Sequence, residues 1–286
     1  MPKKYAFLVL AFAFLLFGVG FTTSCKQETN AGKAKFAENE SEQTDVQRAK
    51  HLIDSRGVPY LVIENIGKQR HPAWIALYAL AYAGEEVYDT SLLGEEDEDK
   101  FWACVEWLEN NLQKSRDGFW VWTYGFDNTY NDVSIEAPWA SAFGQATGIQ
   151  ALVTAYEKTN DTKYLELAKK AAHPLFVSIE QGGLLFESGK DAWFEEIPRP
   201  LDNPSHILNG HMRTLIALKQ LLDATGDENI ADWFNRGTDT LYRWLPRYDA
   251  GYWLRYDLNP RKDELLFRFA NPYGFKSHSL AVDKIT

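Results

Sequence analysis

Pro138-Trp-Ala-Ser-Ala-Phe-Gly-Gln-Ala-Thr-Gly-Ile-Gln-Ala-Leu-Val-Thr-Ala-Tyr156 reads as one long apolar helix opened by a proline, and its counterparts lie at a fixed distance on either side. Pro72, Pro138 and Pro204 are each 66 residues apart, and each is expected to open a helix, where a missing N–H costs nothing in the first turn. The same offset aligns Gly94, Asn160 and Gly226 as helix stops, then Glu95, Asp161 and Asp227 as acidic starts of a second helix. Phe101, Leu167 and Trp233 follow as apolar positions of that second helix. A glycine-led aromatic segment closes each unit: Gly118-Phe-Trp-Val-Trp-Thr-Tyr, Gly183-Leu-Leu-Phe-Glu and Gly251-Tyr-Trp-Leu-Arg-Tyr, which read as short strands or hairpins. The expected fold is mainly α, an α/α toroid of helical hairpins joined by short β-hairpins. About four 66-residue units are expected. The fourth would begin at Asn271-Pro272 and remain incomplete at Thr286, so a truncated sequence is the expectation.

The first residues read as an address. Lys3 and Lys4 precede an apolar run from Ala6 to Phe21, which ends at Thr22-Thr-Ser-Cys25. This is the pattern of a secretory signal over residues 1–24. A Cys after small residues resembles the bacterial lipoprotein box, with Thr22 standing where that box has Leu. It implies lipidation of Cys25 and a membrane-anchored protein of the bacterial cell envelope, facing the periplasm or the surface. An uncleaved membrane anchor is the alternative. Residues 25–44 read as a polar tether, and the domain as residues 45–286. Cys104, inside a helical stretch, is expected to be a buried, inert thiol.

Composition narrows the function. Lys plus Arg number 30 against 40 Asp plus Glu, a net charge of −10, which argues against a nucleic-acid partner. The two cysteines lie in no metal-ligand spacing, and HExxH, GxSxG, P-loop and GxGxxG motifs are absent, so the minimal parts of metalloproteases, serine hydrolases and nucleotide-dependent enzymes are missing. Residues 199–286 carry 12 basic and 11 acidic side chains; the acidity therefore sits before the C-terminal third, and a polyanionic partner is tolerable there. Aromatic residues make up 14% of the chain; core packing accounts for most of them, and a sugar-handling cleft for the rest.

In a ring of helical hairpins the cleft lies at one end, at the starts of the inner helices. Polar residues fall there in Trp193-Phe-Glu-Glu-Ile-Pro198, in His206 to Arg213, in Trp253-Leu-Arg-Tyr-Asp257, and at Tyr273 and His278. Glu195 and Glu196, if in a strand, point to opposite faces, and only one faces the cleft. Asn209 and Arg213 share a helix face, with His206 one turn earlier; an anion clamp and ordinary helix-surface hydrogen bonding both fit this pattern.

These segments, with Pro138–Tyr156 and Tyr248-Asp-Ala-Gly-Tyr-Trp-Leu-Arg-Tyr-Asp-Leu258, resemble the C-terminal helical domain of the D-glucuronyl C5-epimerase family, in family order from about residue 70 onward. The resemblance implies an α/α ring, no metal or nucleotide cofactor, and inversion at C5 of glucuronate in a heparosan-like polysaccharide. It places acid/base residues at Glu196, Tyr256 and Tyr273. Ile197 stands where the animal enzymes carry Tyr, and their β-rich N-terminal domain has no counterpart here. The chemistry fits the residue types: a C5 proton beside a carboxylate is weakly acidic, so the site must neutralise the carboxylate and set one acid/base on each face of the sugar. Asn209, His211, Arg213 and Arg255 are the candidates for substrate binding. A uronate polysaccharide lyase, which shares the first proton abstraction, and a non-catalytic glycan-binding lipoprotein are the alternatives.

Overall fold

The computed structural model describes residues 52–85, 96–130, 133–202, 204–251 and 254–259. The leader, Cys25, the tether, Gly94, Tyr273, His278 and the expected fourth unit lie outside them. Six α-helices occur among the described residues: α1 (Pro72–Tyr82), α2 (Glu98–Asn111), α3 (Ala142–Thr159), α4 (Lys163–Ala172), α5 (Leu208–Thr225) and α6 (Glu228–Trp244). They form three hairpins. Inner helices α1, α3 and α5 pack side by side, and each carries its own outer partner, α2, α4 or α6.

Residue pattern separates the two layers. In α3 every residue from Ala142 to Ala155 is buried, as its run of Ala, Gly and aliphatic side chains dictates for a helix flanked on all sides. The outer helices carry one apolar stripe instead. In α6 it is Ile230, Phe234, Gly237, Leu241 and Trp244; in α4 it is Tyr164, Leu165, Ala168, Ala171 and Ala172. Between the layers Ile75, Ala79, Phe101, Leu108, Ile149, Leu152, Ala168, Leu218 and Leu241 belong to one continuous core. Cys104 is fully buried in it, where desolvation pushes the thiol up to about 12 and leaves it unreactive. No helix among the described residues is long and apolar enough to cross a membrane.

The 66-residue spacing holds between the second and third units and breaks in the first. Helices α3 and α5 start at Ala142 and Leu208 and are closed by left-handed Asn160 (φ 56°) and Gly226 (φ 66°). In the first unit α1 ends at Tyr82 and Gly84 takes the left-handed turn at φ 85°, ten residues before Gly94. Pro72 does open α1. Pro138 and Pro204 do not open helices; each stands four residues before its helix begins, because Ser141 and Ile207 are extended N-cap residues and the intervening backbone is needed to pair with the hairpins.

Small antiparallel sheets fill the connections. β1 (Leu52–Ile53), β2 (Pro59–Ile63) and β3 (Gly67–Gln69) form a meander ahead of α1. Hairpins β4 (Gln113–Lys114) with β5 (Trp120–Val121) and β6 (Asn128–Tyr130) with β7 (Val133–Ile135) lie between α2 and α3. Hairpin β8 (Leu185–Ser188) with β9 (Asp191–Phe194) lies between α4 and α5. A second cluster of buried residues joins these connections: Leu61 and Ile63 before α1, Tyr124, Phe126, Ile135 and Trp139 before α3, Ile197 and Ile207 before α5. The starts of the three inner helices therefore gather at one end of the molecule.

Candidate active site

Two neighbouring glutamates leave strand β9 and part company. Glu195 is wholly buried. Its Oε1 lies 2.5 Å from His206 Nδ1, within hydrogen-bond distance, and its Oε2 accepts the His206 backbone N–H at 3.2 Å. The Glu195 backbone is held as well, its carbonyl accepting the first amide of α3, Ala142 N, at 3.0 Å. Burial pushes this carboxyl upward, while the hydrogen bonds and charge of His206 pull it back.

Glu196 turns to the start of α5. A Cβ added at Gly210 would stand 2.6 Å from Glu196 Oε2 and 2.7 Å from Glu196 Cβ, so the carboxyl rests against helix backbone that only glycine leaves open. Glu196 Oε2 is buried with no hydrogen-bond partner among the described residues. Desolvation, and then the charge of Glu195, push this carboxyl up to about 7, the range in which a carboxyl gives and takes protons near neutral pH. Asn209 Oδ1, beside Gly210 on the first turn of α5, is likewise buried without a partner among the described residues. Arg213 is half-buried one turn further along.

A third strand of chain closes on the same helix start. Leu208 N donates to Tyr256 O at 2.9 Å, and Leu258 N to Ser205 O at 3.0 Å, which lays residues 256–258 along residues 205–208. The Tyr256 ring is 45% exposed, open enough for its phenol to meet a ligand. It lies 6.0 Å from the ring of Tyr130, whose hydroxyl donates to buried Asp257. Arg255 is exposed and held by its backbone, N donating to Tyr248 O at 2.7 Å.

His211 is taken out of the cleft. It is fully buried, accepts Phe194 N at Nδ1 (3.0 Å), and meets Gly237 O at Nε2 (3.1 Å). Both nitrogens are thus occupied in a neutral ring, which desolvation pushes down to about 3. Trp193 stacks on it at 3.9 Å, with Trp244 and Tyr248 stacked on Trp193 at 5.2 and 5.6 Å. The expectation that His211 binds a substrate carboxylate is corrected here: it is a core residue. His206 is also displaced, since α5 begins two residues after it and His206 sits in a left-handed turn at φ 50°. Ile197 is packed in the second cluster, 4% exposed.

Glu196, Asn209, Arg213 and Tyr256 are thus brought to one helix start, Arg255 stands beside them at the surface, and Tyr273 lies outside the described residues. Sequence reasoning missed the Glu195–His206 pair and the Tyr130–Asp257 contact. No spacing in the repeat announces the first; what the 66-residue offset does show is His211 set against Gln145, a buried polar residue of α3, the signal that could have marked His211 as scaffold rather than site. Nothing in the sequence connects Tyr130 with Asp257, 127 residues away. No group of three or more His, Cys, Asp or Glu that could hold a metal occurs among the described residues.

Residues 114–271 match the family described as D-glucuronyl C5-epimerase C-terminus. A D-glucuronyl C5-epimerase of Caenorhabditis elegans is 30% identical over 230 residues, 75% of this chain and 35% of that protein. An uncharacterised protein of Methanocaldococcus jannaschii is 32% identical over 143 residues, 49% of this chain and 45% of its own length. Among solved structures, an endo-β-1,4-glucanase from Acetobacter xylinum overlaps 71% of this chain and 56% of its own at 16% identity and a TM-score of 0.47. The paired helices therefore fall within a family named for a carbohydrate epimerase. The chain belongs to the D-glucuronyl C5-epimerase C-terminus family, and it spans less than half the length of the curated relatives it matches.

Proposed function

We propose that the protein inverts C5 of D-glucuronate residues in a heparosan-like polysaccharide. The observation that carries this reading is Glu196: a buried carboxyl pushed up to about 7 and set on bare helix backbone, with an oxygen that, like Asn209 Oδ1 beside it, has no hydrogen-bond partner among the described residues. In the forward step the C5–H bond breaks, the proton passes to a base on one face of the sugar, and the electron pair moves into the adjoining carboxylate. A proton then returns to C5 from an acid on the other face, with no net oxidation. Glu196 and Tyr256 are the two proton-transfer groups, with Tyr273 as a second phenol. Arg213 and Arg255 supply positive charge for the substrate carboxylate, and Asn209 Oδ1 accepts from a sugar hydroxyl. Gathering the N-termini of three inner helices at this end adds partial positive charge where an anionic sugar would bind.

The test is incubation of the full chain with heparosan in heavy water. An epimerase incorporates deuterium at C5 and yields iduronate, whereas a lyase loses the C4 substituent and leaves an ultraviolet-absorbing end, and a binding protein does neither. Glu196→Gln is expected to lower exchange by about 10²–10⁴-fold, and Tyr256→Phe by a similar factor. Full exchange in both variants refutes the assignment of these groups.

A further inference from the structure

We propose that the buried Glu195–His206 pair is the positioning device of this site: it locks the turn from which α5 and the Tyr256 segment both hang, and so sets the two proton-transfer groups against each other. This inference rests on the epimerase reading above.

The connections converge on two residues. Glu195 carries Glu196 as its chain neighbour and anchors α3 through its own carbonyl. Both its carboxylate oxygens are used by His206, one on the ring and one on the backbone N–H. That double contact holds His206 at φ 50°, a conformation unfavourable for a side-chain-bearing residue unless its surroundings enforce it. The His206 carbonyl in turn accepts the Tyr248 hydroxyl at 2.6 Å. Its neighbours Ser205 and Leu208 make the backbone bonds to Leu258 and Tyr256. Phe186, Trp193 and Trp244 surround the imidazole at 4.7, 6.1 and 5.0 Å between ring centres, which keeps water from the pair. Neither residue reaches the cleft, so both act through Glu196 and Tyr256 rather than on substrate.

The pair also acts through charge. Glu195 raises Glu196 by repulsion, second to burial. The other titratable groups coupled to the pair are His211 on α5 and Tyr248 on the turn after α6, and Tyr248 in turn faces Arg247 and Asp257. Removing the Glu195 charge therefore moves the limb of the pH–rate profile that belongs to Glu196 toward lower pH.

The experiment compares Glu195→Gln, His206→Gly and the double variant with the wild-type chain, measuring C5 deuterium exchange on heparosan across pH. Glycine accepts the left-handed turn without strain, so His206→Gly removes the imidazole while sparing the backbone. Both single variants are expected to lower kcat at least tenfold with KM little changed, because the pair touches no substrate. The double variant is expected to be no worse than the poorer single one. In Glu195→Gln the Glu196 limb is expected to shift down by about one pH unit. Wild-type kcat and profile in both single variants overturn the proposal while leaving the epimerase reading intact. So does a loss of exchange that merely follows a fall in melting temperature with the profile unmoved. If the wild type exchanges no C5 hydrogen at any pH, the epimerase reading fails, and the pair is judged by the carbon-13 titration of the Glu196 carboxyl. A lowered midpoint in Glu195→Gln then upholds the coupling, and an unmoved one overturns it.

Discussion

At the start of α3 the Tyr124 phenol lies over Gly144; at the start of α5, 66 residues on, the Glu196 carboxyl lies over Gly210. A Cβ at Gly144 would meet Tyr124 Oη at 2.7 Å, and one at Gly210 would meet Glu196 Oε2 at 2.6 Å. The next residue in each helix is scaffold. Gln145 Oε1 accepts Trp122 N at 2.9 Å and its Nε2 reaches Ala171 O at 2.8 Å on the outer helix. His211 does the same between Phe194 N and Gly237 O. The same joint is thus made twice with different atoms. The difference lies in what surrounds the group on the glycine: Tyr124 is 2% exposed and stacked on Trp139 at 4.1 Å, whereas Glu196 keeps an oxygen without a partner among the described residues. One unit fills the position with a packed ring, and under the proposed function the other uses it for proton transfer.

The two glycines offer the sharpest way to break this contrast. Gly210→Ala displaces Glu196, and exchange is expected to fall about a hundredfold, the loss that follows a displacement of roughly 1 Å in a reacting group. Gly144→Ala displaces a packed ring, and is expected to cost about 1–3 kcal/mol of stability while sparing kcat. Kinetics and denaturant titration of both variants decide it. Equal losses of kcat would mean that Tyr124 shares in the chemistry.

The scaffold residues allow a finer test. His211 is held well below its ordinary value, so the stability it contributes is present above the unfolded-state pKa of about 6.5 and is lost as pH falls toward about 3. Between pH 7 and 5 this amounts to about 2 kcal/mol. His211→Gln, which copies the Gln145 joint, is expected to flatten that slope in urea titrations at the two pH values. If the slope persists, another group governs the acid sensitivity.

The smallest expected effect separates the helix caps. Ser141 Oγ accepts Gly144 N at the start of α3, whereas Ile207 supplies no side-chain cap to α5 and the Leu208 amide goes to Tyr256 O. Ser141→Ala is expected to cost about 1 kcal/mol, read by thermal melting. No change would indicate that the hairpin contacts alone fix the start of α3.

Periodicity made the two later units legible, because the helix stops Asn160 and Gly226 need left-handed backbone and few residues supply it. It failed at α1, where the chain stops at Gly84 and no side chain in the 66-residue frame announces that. The site was half legible. Glu196 and Asn209 stand out as polar residues at an inner-helix start, but adjacent glutamates look alike until the backbone bends after Phe194 and sends one to His206 and the other to Gly210. His211 was misread because a histidine among polar neighbours carries no mark of the indole that stacks on it. The contacts of residues 254–259 with residues 205–208 are backbone bonds, to which side-chain identity is silent.

The stack of Trp193 between His211, Trp244 and Tyr248 has an optical consequence. Two buried indoles fixed 5.2 Å apart at an angle of 17° couple their electronic transitions and contribute a near-ultraviolet circular-dichroism component that is lost when strand β9 and helices α5 and α6 undock. Helix content recorded in the far ultraviolet can survive loosening of this region, while the indole signal cannot. The protein therefore carries its own gauge of whether the hairpin that delivers Glu196 is seated, readable without label and at the same concentration as an exchange assay.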